Sequence, residues 1–239
     1  MGEFLKIGHR GAAGHEPENT MASFQKAIEF GANAIEFDVR LTKDGQIVVF
    51  HDPTLDRTTN GKGILKDQTF AELVALDAGK GQRIPTLWQV LETFRDKTIF
   101  NIELKETSIA DRVLDIINSC GAIDRVIVSA FARDENELGD TSNWQDLFWM
   151  KAKEPNLNIA LLAEKPEWAR HALLATRNDR LFPVYSLNFS CKIISPDLIF
   201  YAHEAGCRAM VWTVIEQRAI AAMKEWGVDG IFSDYPELL

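Results

Sequence analysis

Short β-rich apolar runs and stretches with helical apolar spacing take turns along the chain. The clearest of them lie between Ala34 and Asp52. Residues 34–41 alternate apolar and polar, residues 47–50 are a continuous apolar run, and Asp44-Gly45 between them is a hairpin signal. The link is too short for a helical crossover, which needs about a dozen residues, so the two strands are predicted to be antiparallel. With Asp44 and Gly45 as the central turn residues, Lys43 faces Gln46, Arg40 pairs with Val49 and Asp38 with His51. Because side chains alternate faces, Glu36, Asp38 and His51 then share one face.

The same reading carried along the chain predicts further strands. Apart from the returning arm of the hairpin, strands begin at residues 4, 34, 98, 125, 159, 184, 209 and 230. Thr20 or Asn19 caps a first helix whose apolar face is Phe24, Ala27, Ile28 and Phe30, with Gly31 as its stop. Pro85 opens another, with Leu87, Val90, Leu91 and Phe94 at helical spacing. Four more are predicted over residues 109–118, 166–176, 196–205 and 217–226. Residues 52–85 break the rhythm with glycine-rich loops and one short helix, and read as a small insertion or cap within a single domain spanning 1–239. Eight strands separated mainly by helices predict an α/β fold of the (β/α)8 TIM-barrel type, with the insertion after the second-strand hairpin. A doubly wound open sheet is the alternative, disfavoured because no glycine-rich dinucleotide fingerprint follows the first strand.

Composition narrows the function classes. A chain of 239 residues that is 46% hydrophobic can bury a large core. A net charge of −9 and an isoelectric point near 5.1 argue against nucleic acid as a partner, which would need a basic stripe. Cys120, Cys191 and Cys207 are odd in number and form no close-spaced pair, as expected in a reducing compartment. Polar sequence follows the first residues, and no apolar run approaches the roughly 20 residues that span a bilayer. A cytoplasmic protein without an integral membrane segment is the expectation. Nothing in the pattern specifies an oligomeric state.

A barrel gathers functional side chains at the carboxyl ends of its strands. His9 and Arg10 follow the first strand, Glu36 and Asp38 the second, Glu103 and Lys105 the strand at 98; Ser129, Trp212 and Asp234 end later ones. Glu36, Asp38 and Glu103 make a hard oxygen set that suits one divalent cation, Mg2+ or Ca2+, better than zinc, which recruits more His or Cys. Arg10 and Lys105 beside it imply an anionic ligand, most simply a phosphate. His9 and His51 can serve as an acid/base pair for phosphoester cleavage, since imidazole titrates near neutral pH. Taken alone, any one of these residues reads as ordinary barrel-rim polarity, a lone His above all; the weight lies in seven converging.

With these motifs the chain resembles the glycerophosphodiester phosphodiesterase family, from Ile7 to Pro236. The resemblance rests on His9-Arg10-Gly11, Pro17-Glu18-Asn19-Thr20, Glu36-Phe37-Asp38-Val39, His51-Asp52, Arg57-Thr58-Thr59 with Gly61 and Gly63, Ile84-Pro85-Thr86-Leu87, Glu103-Leu104-Lys105, Trp212-Thr213-Val214 and Gly230-Ile231 with Ser233-Asp234 and Pro236. It implies a phospholipase-C-like barrel with a small insertion after the hairpin. It also implies a metal on Glu36, Asp38 and Glu103, His9 and His51 as acid and base, and Arg10 and Lys105 on the phosphate. The implied reaction converts a small-molecule glycerophosphodiester to glycerol 3-phosphate and an alcohol.

Other positions are read more plainly. Glu18 and Asn19 are expected to brace the first loop, Arg57 the insertion, and Asp52 and Asp234 to orient a histidine or a loop. Trp212 reads equally as site lining or barrel core. His15, His171 and His203 match no catalytic motif. Trp144, Phe148 and Trp149 lie in a long polar stretch over 133–156 and are expected in the core beneath it, with a lid or a dimer contact as sharper readings. Ile215-Glu216 departs from the family, in which Asn is frequent after the Trp-Thr-Val segment. The rivals are a lysophospholipase D or cyclising phospholipase on the same scaffold, a sugar isomerase barrel, and a non-catalytic phosphate- or metal-binding module.

Overall fold

A computed structural model describes residues 3–131, 144–178 and 183–239. Eight parallel strands close on themselves: β1 (Leu5–Gly8), β2 (Ala34–Leu41), β4 (Ile99–Leu104), β5 (Val126–Phe131), β6 (Asn158–Ala163), β7 (Ser186–Ser190), β8 (Arg208–Trp212) and β9 (Gly230–Ser233), with β1 pairing both β9 and β2. The remaining strand, β3 (Ile47–Val49), lies antiparallel on the upper part of β2, whose lower part β1 occupies. Helices α1 (Met21–Glu29), α2 (Phe70–Val74), α3 (Leu87–Phe94), α4 (Ala110–Ser119), α5 (Trp144–Lys153), α6 (Pro166–Asn178), α7 (Pro196–Glu204) and α8 (Gln217–Trp226) connect them. Among the described residues no helix is long and apolar enough to cross a membrane.

Alternation along the strands decides what faces the helices and what faces the barrel interior. Ile35, Phe37 and Val39 of β2 and Phe100, Ile102 and Leu104 of β4 join the large core shared with the helices. The residues between them, Glu36 and Asp38, and Asn101 and Glu103, therefore project inward, as does Lys105 just past the end of β4. Leu5, Ile7, Ala34, Ile127, Ala160, Met210 and Phe232 form a separate apolar cluster inside the barrel. An apolar plug fills the interior, as in other barrels of this kind, and leaves the charged side chains at the rim.

The hairpin is antiparallel as its pattern predicts, but its register differs by one residue. Val39 pairs with Val49, Arg40 with Val48 and Leu41 with Ile47. The loop holds three residues, Lys43 to Gly45, closed by Thr42 N–H to Gln46 O at 3.0 Å and Gly45 N–H to Thr42 O at 3.0 Å. The Thr42 hydroxyl donates to Asp44 at 2.6 Å and Gly45 takes φ of 84°, the left-handed residue that closes such a loop. Asp38 consequently receives a hydrogen bond from Phe50, not His51, which lies beyond the end of β3.

Some helix and strand ends also differ from the pattern. Thr86, not Pro85, starts α3: its hydroxyl accepts the Gln89 N–H while the Gln89 side chain accepts the Thr86 N–H. Of the two candidates for α1, Thr20 is the cap. Strand β7 covers Ser186–Ser190 and so begins two residues later than the predicted 184, its buried polar residues Ser186, Asn188 and Ser190 interrupting the apolar run. Residues 52–85 pack Leu55, Leu65, Leu73 and Ile84 with Val48 and Phe50 of the hairpin arm into an apolar cluster of their own. The long stretch after β5 falls partly outside the described residues. Within α5, Trp144 and Phe148 pack on the core, Trp144 donates to Ala130 O at 3.1 Å, and Trp149 is exposed.

Candidate functional site

The carboxyl ends of β1, β2 and β4 meet in a cavity of about 320 Å3 that His9, Arg10, Glu36, His51, Glu103 and Lys105 line. Asp38 sits just behind them, 1% exposed. All seven residues expected to carry chemistry are thus brought together. Parallel pairing explains part of this: Asp38 is opposite Glu103 on the neighbouring strand, and Glu36 opposite Asn101.

One oxygen each from Glu36, Asp38 and Glu103 can be chosen so that all lie within 4.8 Å of one another. Arg10 and Lys105 are the permanent cations beside them. Lys105 Nζ bonds Glu103 and lies 3.2 Å from Asp38 Oδ1, while Arg10 Nε lies 3.5 Å from Asp38 Oδ2. The Arg10 backbone N–H donates to Glu36 Oε2 at 2.9 Å, an orientation set by a φ of 51° at Arg10. Gly11 follows because a Cβ there would lie 2.4 Å from Ser23 Oγ. Asn19 donates to Asp38 Oδ2 at 2.8 Å, so its bracing acts on a cluster carboxylate.

Three carboxylates against two permanent cations leave one carboxyl short of compensation. Burial, then the Asp38 charge, push Glu36 up to about 8. Asp38 moves the other way: burial opposes its ionisation, but Lys105, Arg10 and His51 outweigh it and hold it well below the usual carboxylate range. Glu36 Oε1 is buried and has no hydrogen-bond partner among the described residues. An unpartnered buried acceptor facing two other carboxylates fits a cation that prefers oxygen ligands.

Each site histidine is held at Nδ1 by a carboxylate. His9 contacts Asp234 Oδ1 at 2.6 Å and His51 contacts Asp52 Oδ1 at 2.6 Å, leaving each Nε2 for other partners. Burial works to lower the His9 pKa, but the Asp234 hydrogen bond and the Glu36 charge, 3.9 Å from Nε2, raise it overall. For His51 burial dominates, Lys105 and Arg10 add to it, and the pKa falls to about 4. Arg40, buried in the hairpin, donates from Nε to the His51 carbonyl at 2.7 Å and fixes the chain beyond β3.

The opposite part of the rim is largely apolar, with Glu164 and Thr213 as its polar members. Phe131, Leu162, Trp168, Trp212 and Phe232 line the same cavity, with Phe131 edge-on to Trp212 at 5.4 Å. Trp212 thus belongs to the lining, as does Ser129, whose hydroxyl donates to Asn101 Oδ1 at 2.7 Å. Asn101 and Phe131 were legible in principle, each lying two residues from a residue already singled out on its strand. Leu162, Glu164 and Trp168 carry no such signal. Of the other histidines, His15 pairs with Glu237 and His203 with Asp229, both away from the cavity.

A parallel barrel with a carboxylate cluster, two carboxylate-held histidines and two cations at its carboxyl rim defines a class of phosphoester-handling barrels. Residues 9–238 match the glycerophosphoryl diester phosphodiesterase family, and the chain belongs to it. A glycerophosphodiester phosphodiesterase of Caldanaerobacter subterraneus subsp. tengcongensis is 39% identical, over 98% of this chain and 96% of that one. A Bacillus altitudinis protein of the same name is 34% identical, over 97% and 94%. Among solved structures, an Oleispira antarctica phosphodiesterase in complex with the product sn-glycerol-3-phosphate superposes with a TM-score of 0.82 at 26% identity, covering 97% of this chain and 93% of that one.

Proposed function

We propose that the protein hydrolyses glycerophosphodiesters to glycerol 3-phosphate and the corresponding alcohol, in a divalent-cation-dependent reaction at this rim. The observation that carries the reading is the pair of histidines, each held at Nδ1 by a carboxylate at 2.6 Å, beside the Glu36, Asp38 and Glu103 cluster. The family and the product held by the Oleispira relative support the substrate class.

Glu36, Asp38 and Glu103 would hold Mg2+ or Ca2+, which supplies Lewis-acid polarisation of a phosphate oxygen. Arg10 and Lys105 grip the phosphate and stabilise charge that develops on it. His9 and His51 divide the two proton transfers: one imidazole takes the proton of the attacking oxygen and the other protonates the leaving alcohol. Asp234 and Asp52 keep the two rings oriented with Nε2 available. The alcohol lies against the apolar wall, which excludes water from the leaving-group side.

The barrel with residues 52–85 as its cap is taken as one domain, supported by the packing of the cap cluster on Val48 and Phe50 of the hairpin. Free thiols at Cys120, Cys191 and Cys207 support a cytoplasmic location.

Release of glycerol 3-phosphate from glycerophosphocholine and glycerophosphoethanolamine, with EDTA and then with Mg2+ or Ca2+ restored, tests the reading. Metal-restored release is expected; no release from folded protein with either cation overturns it. The apolar wall favours one second reading, cleavage of a lysolipid, and lysophosphatidylcholine in the same assay separates the two.

A further inference from the structure

Arg57 belongs to the inserted segment, 52–85, and its side chain reaches back to the rim. Its Nε donates to Asp52 Oδ2 at 2.7 Å and its Nη1 to Glu18 Oε2 at 2.6 Å. Its Nη2 donates to Asp52 Oδ1 and to Glu18 Oε1, both at 2.8 Å. These last two oxygens are the ones that hold the site: Asp52 Oδ1 contacts His51 Nδ1 at 2.6 Å, and Glu18 Oε1 accepts from Arg10 Nη1 at 2.8 Å. One guanidinium nitrogen therefore joins the support of a histidine to the support of a cation. The chain of contacts runs unbroken from His51 through Asp52, Arg57 and Glu18 to Arg10.

We propose that Arg57 is a positioning residue that sets the His51 imidazole and the Arg10 guanidinium together, through Asp52 and Glu18. The proposal rests on the assignment of His51 and Arg10 to the diesterase reaction. The plainer alternative is that Arg57 only braces its own segment. That segment is already held without it, by the Leu55, Leu65, Leu73 and Ile84 cluster and by the Leu55 N–H to Gly63 O and Gly63 N–H to Asp56 hydrogen bonds. Exposed ion pairs generally contribute little, and the Arg57 side chain is 47% exposed; a bidentate fork on two carboxylates in one network is the recognised exception. The contact is also one that lysine cannot reproduce, since an ammonium is a point charge and spans no second carboxylate in this plane.

The test compares Arg57→Ala and Arg57→Lys with the parent enzyme, after thermal melting has established that each is folded. Both are expected to lose on the order of 10- to 100-fold in kcat/KM, with kcat falling through His51 and KM rising through Arg10. Added ethylguanidinium should restore part of the activity of Arg57→Ala. In an Asp52→Asn/Glu18→Gln background the further change Arg57→Ala should cost little, because the groups it acts through are already altered. The imidazole nitrogen NMR signals of His51 give the same answer without turnover, and should shift in Arg57→Ala. An Arg57→Ala enzyme within twofold of the parent overturns the proposal. So does a loss that ethylguanidinium leaves unchanged and that adds in full to the double variant, or a His51 signal that does not move. An inactive parent would instead overturn the diesterase reading, and the NMR arm would still decide the coupling.

Discussion

The two halves of the barrel rim are built on opposite principles. Above β1, β2 and β4 the side chains are charged and largely buried, and all but Glu36 are closely tied to a partner of opposite sign: Lys105 to Asp38 and Glu103, Arg10 to Asp38 and Glu18, His9 to Asp234. Around Phe131, Leu162, Trp168, Trp212 and Phe232 the wall of the same cavity is aromatic and aliphatic. Buried charges are sustained by close counter-charges, which here come from adjacent strands in register and from the loops beside them. The apolar wall makes no such demand and is drawn from the strands β5, β6, β8 and β9 and from helix α6. The charged side chains are therefore concentrated at the ends of three neighbouring strands and just beyond the hairpin arm beside them, while the rest of the rim is largely apolar.

The largest effect should come from the charged half. His9→Ala and His51→Ala are each expected to lower kcat by about 10²- to 10⁴-fold with the melting temperature preserved, as measured by glycerol 3-phosphate release. Retained turnover in His51→Ala would remove that residue from the mechanism. One step out, Asp234→Asn leaves the ring of His9 without its anionic partner and should cost roughly 10- to 100-fold in kcat. A loss confined to KM would mean that Asp234 serves only the binding surface.

The pH dependence of stability sharpens the electrostatic side of the comparison. In the metal-free protein Glu36 keeps its proton up to about pH 8, well above the ordinary 4.5. Its contribution to stability is complete below the ordinary value and is lost as pH rises through about 8. A cation must displace that proton, so the melting-temperature gain from Mg2+ or Ca2+ should grow between pH 6 and pH 8. Equal gains at both values, read by scanning calorimetry, would show that the cluster binds its cation without Glu36.

The apolar half should give the smallest response. Trp168→Ala removes one face of the wall and is expected to raise KM by roughly two- to tenfold, the worth of about 0.5–1.5 kcal/mol, with kcat nearly unchanged. A fall in kcat as large as that of Asp234→Asn would end the distinction between the two halves.

Much of this was legible in the residues because the governing periodicities are local. A two-residue alternation puts Glu36 and Asp38 on one face of their strand and Glu103 and Lys105 on one face of theirs, and the count of strands and helices, without a dinucleotide fingerprint, favours a barrel over an open sheet. The hairpin register differs from the one the Asp-Gly dipeptide suggests because a Thr42–Asp44 side-chain contact favours a three-residue loop. Strand β7 begins at Ser186 and not at 184, and its inward polar residues hide the apolar half of the pattern.

What the sequence by itself determined was the set of elements, the inward faces of the strands and the residue types gathered at the rim. Only the tertiary structure decided that Asp234 reaches His9 across 225 positions of chain, that Trp168 and Trp212 share a cavity with Glu103, and that Arg57 ties Asp52 to Glu18. Such contacts follow from closing the sheet between β9 and β1 and from folding the insertion back over the rim. Both steps depend on long-range packing, and no local spacing along the chain encodes which distant side chains they bring within hydrogen-bonding reach.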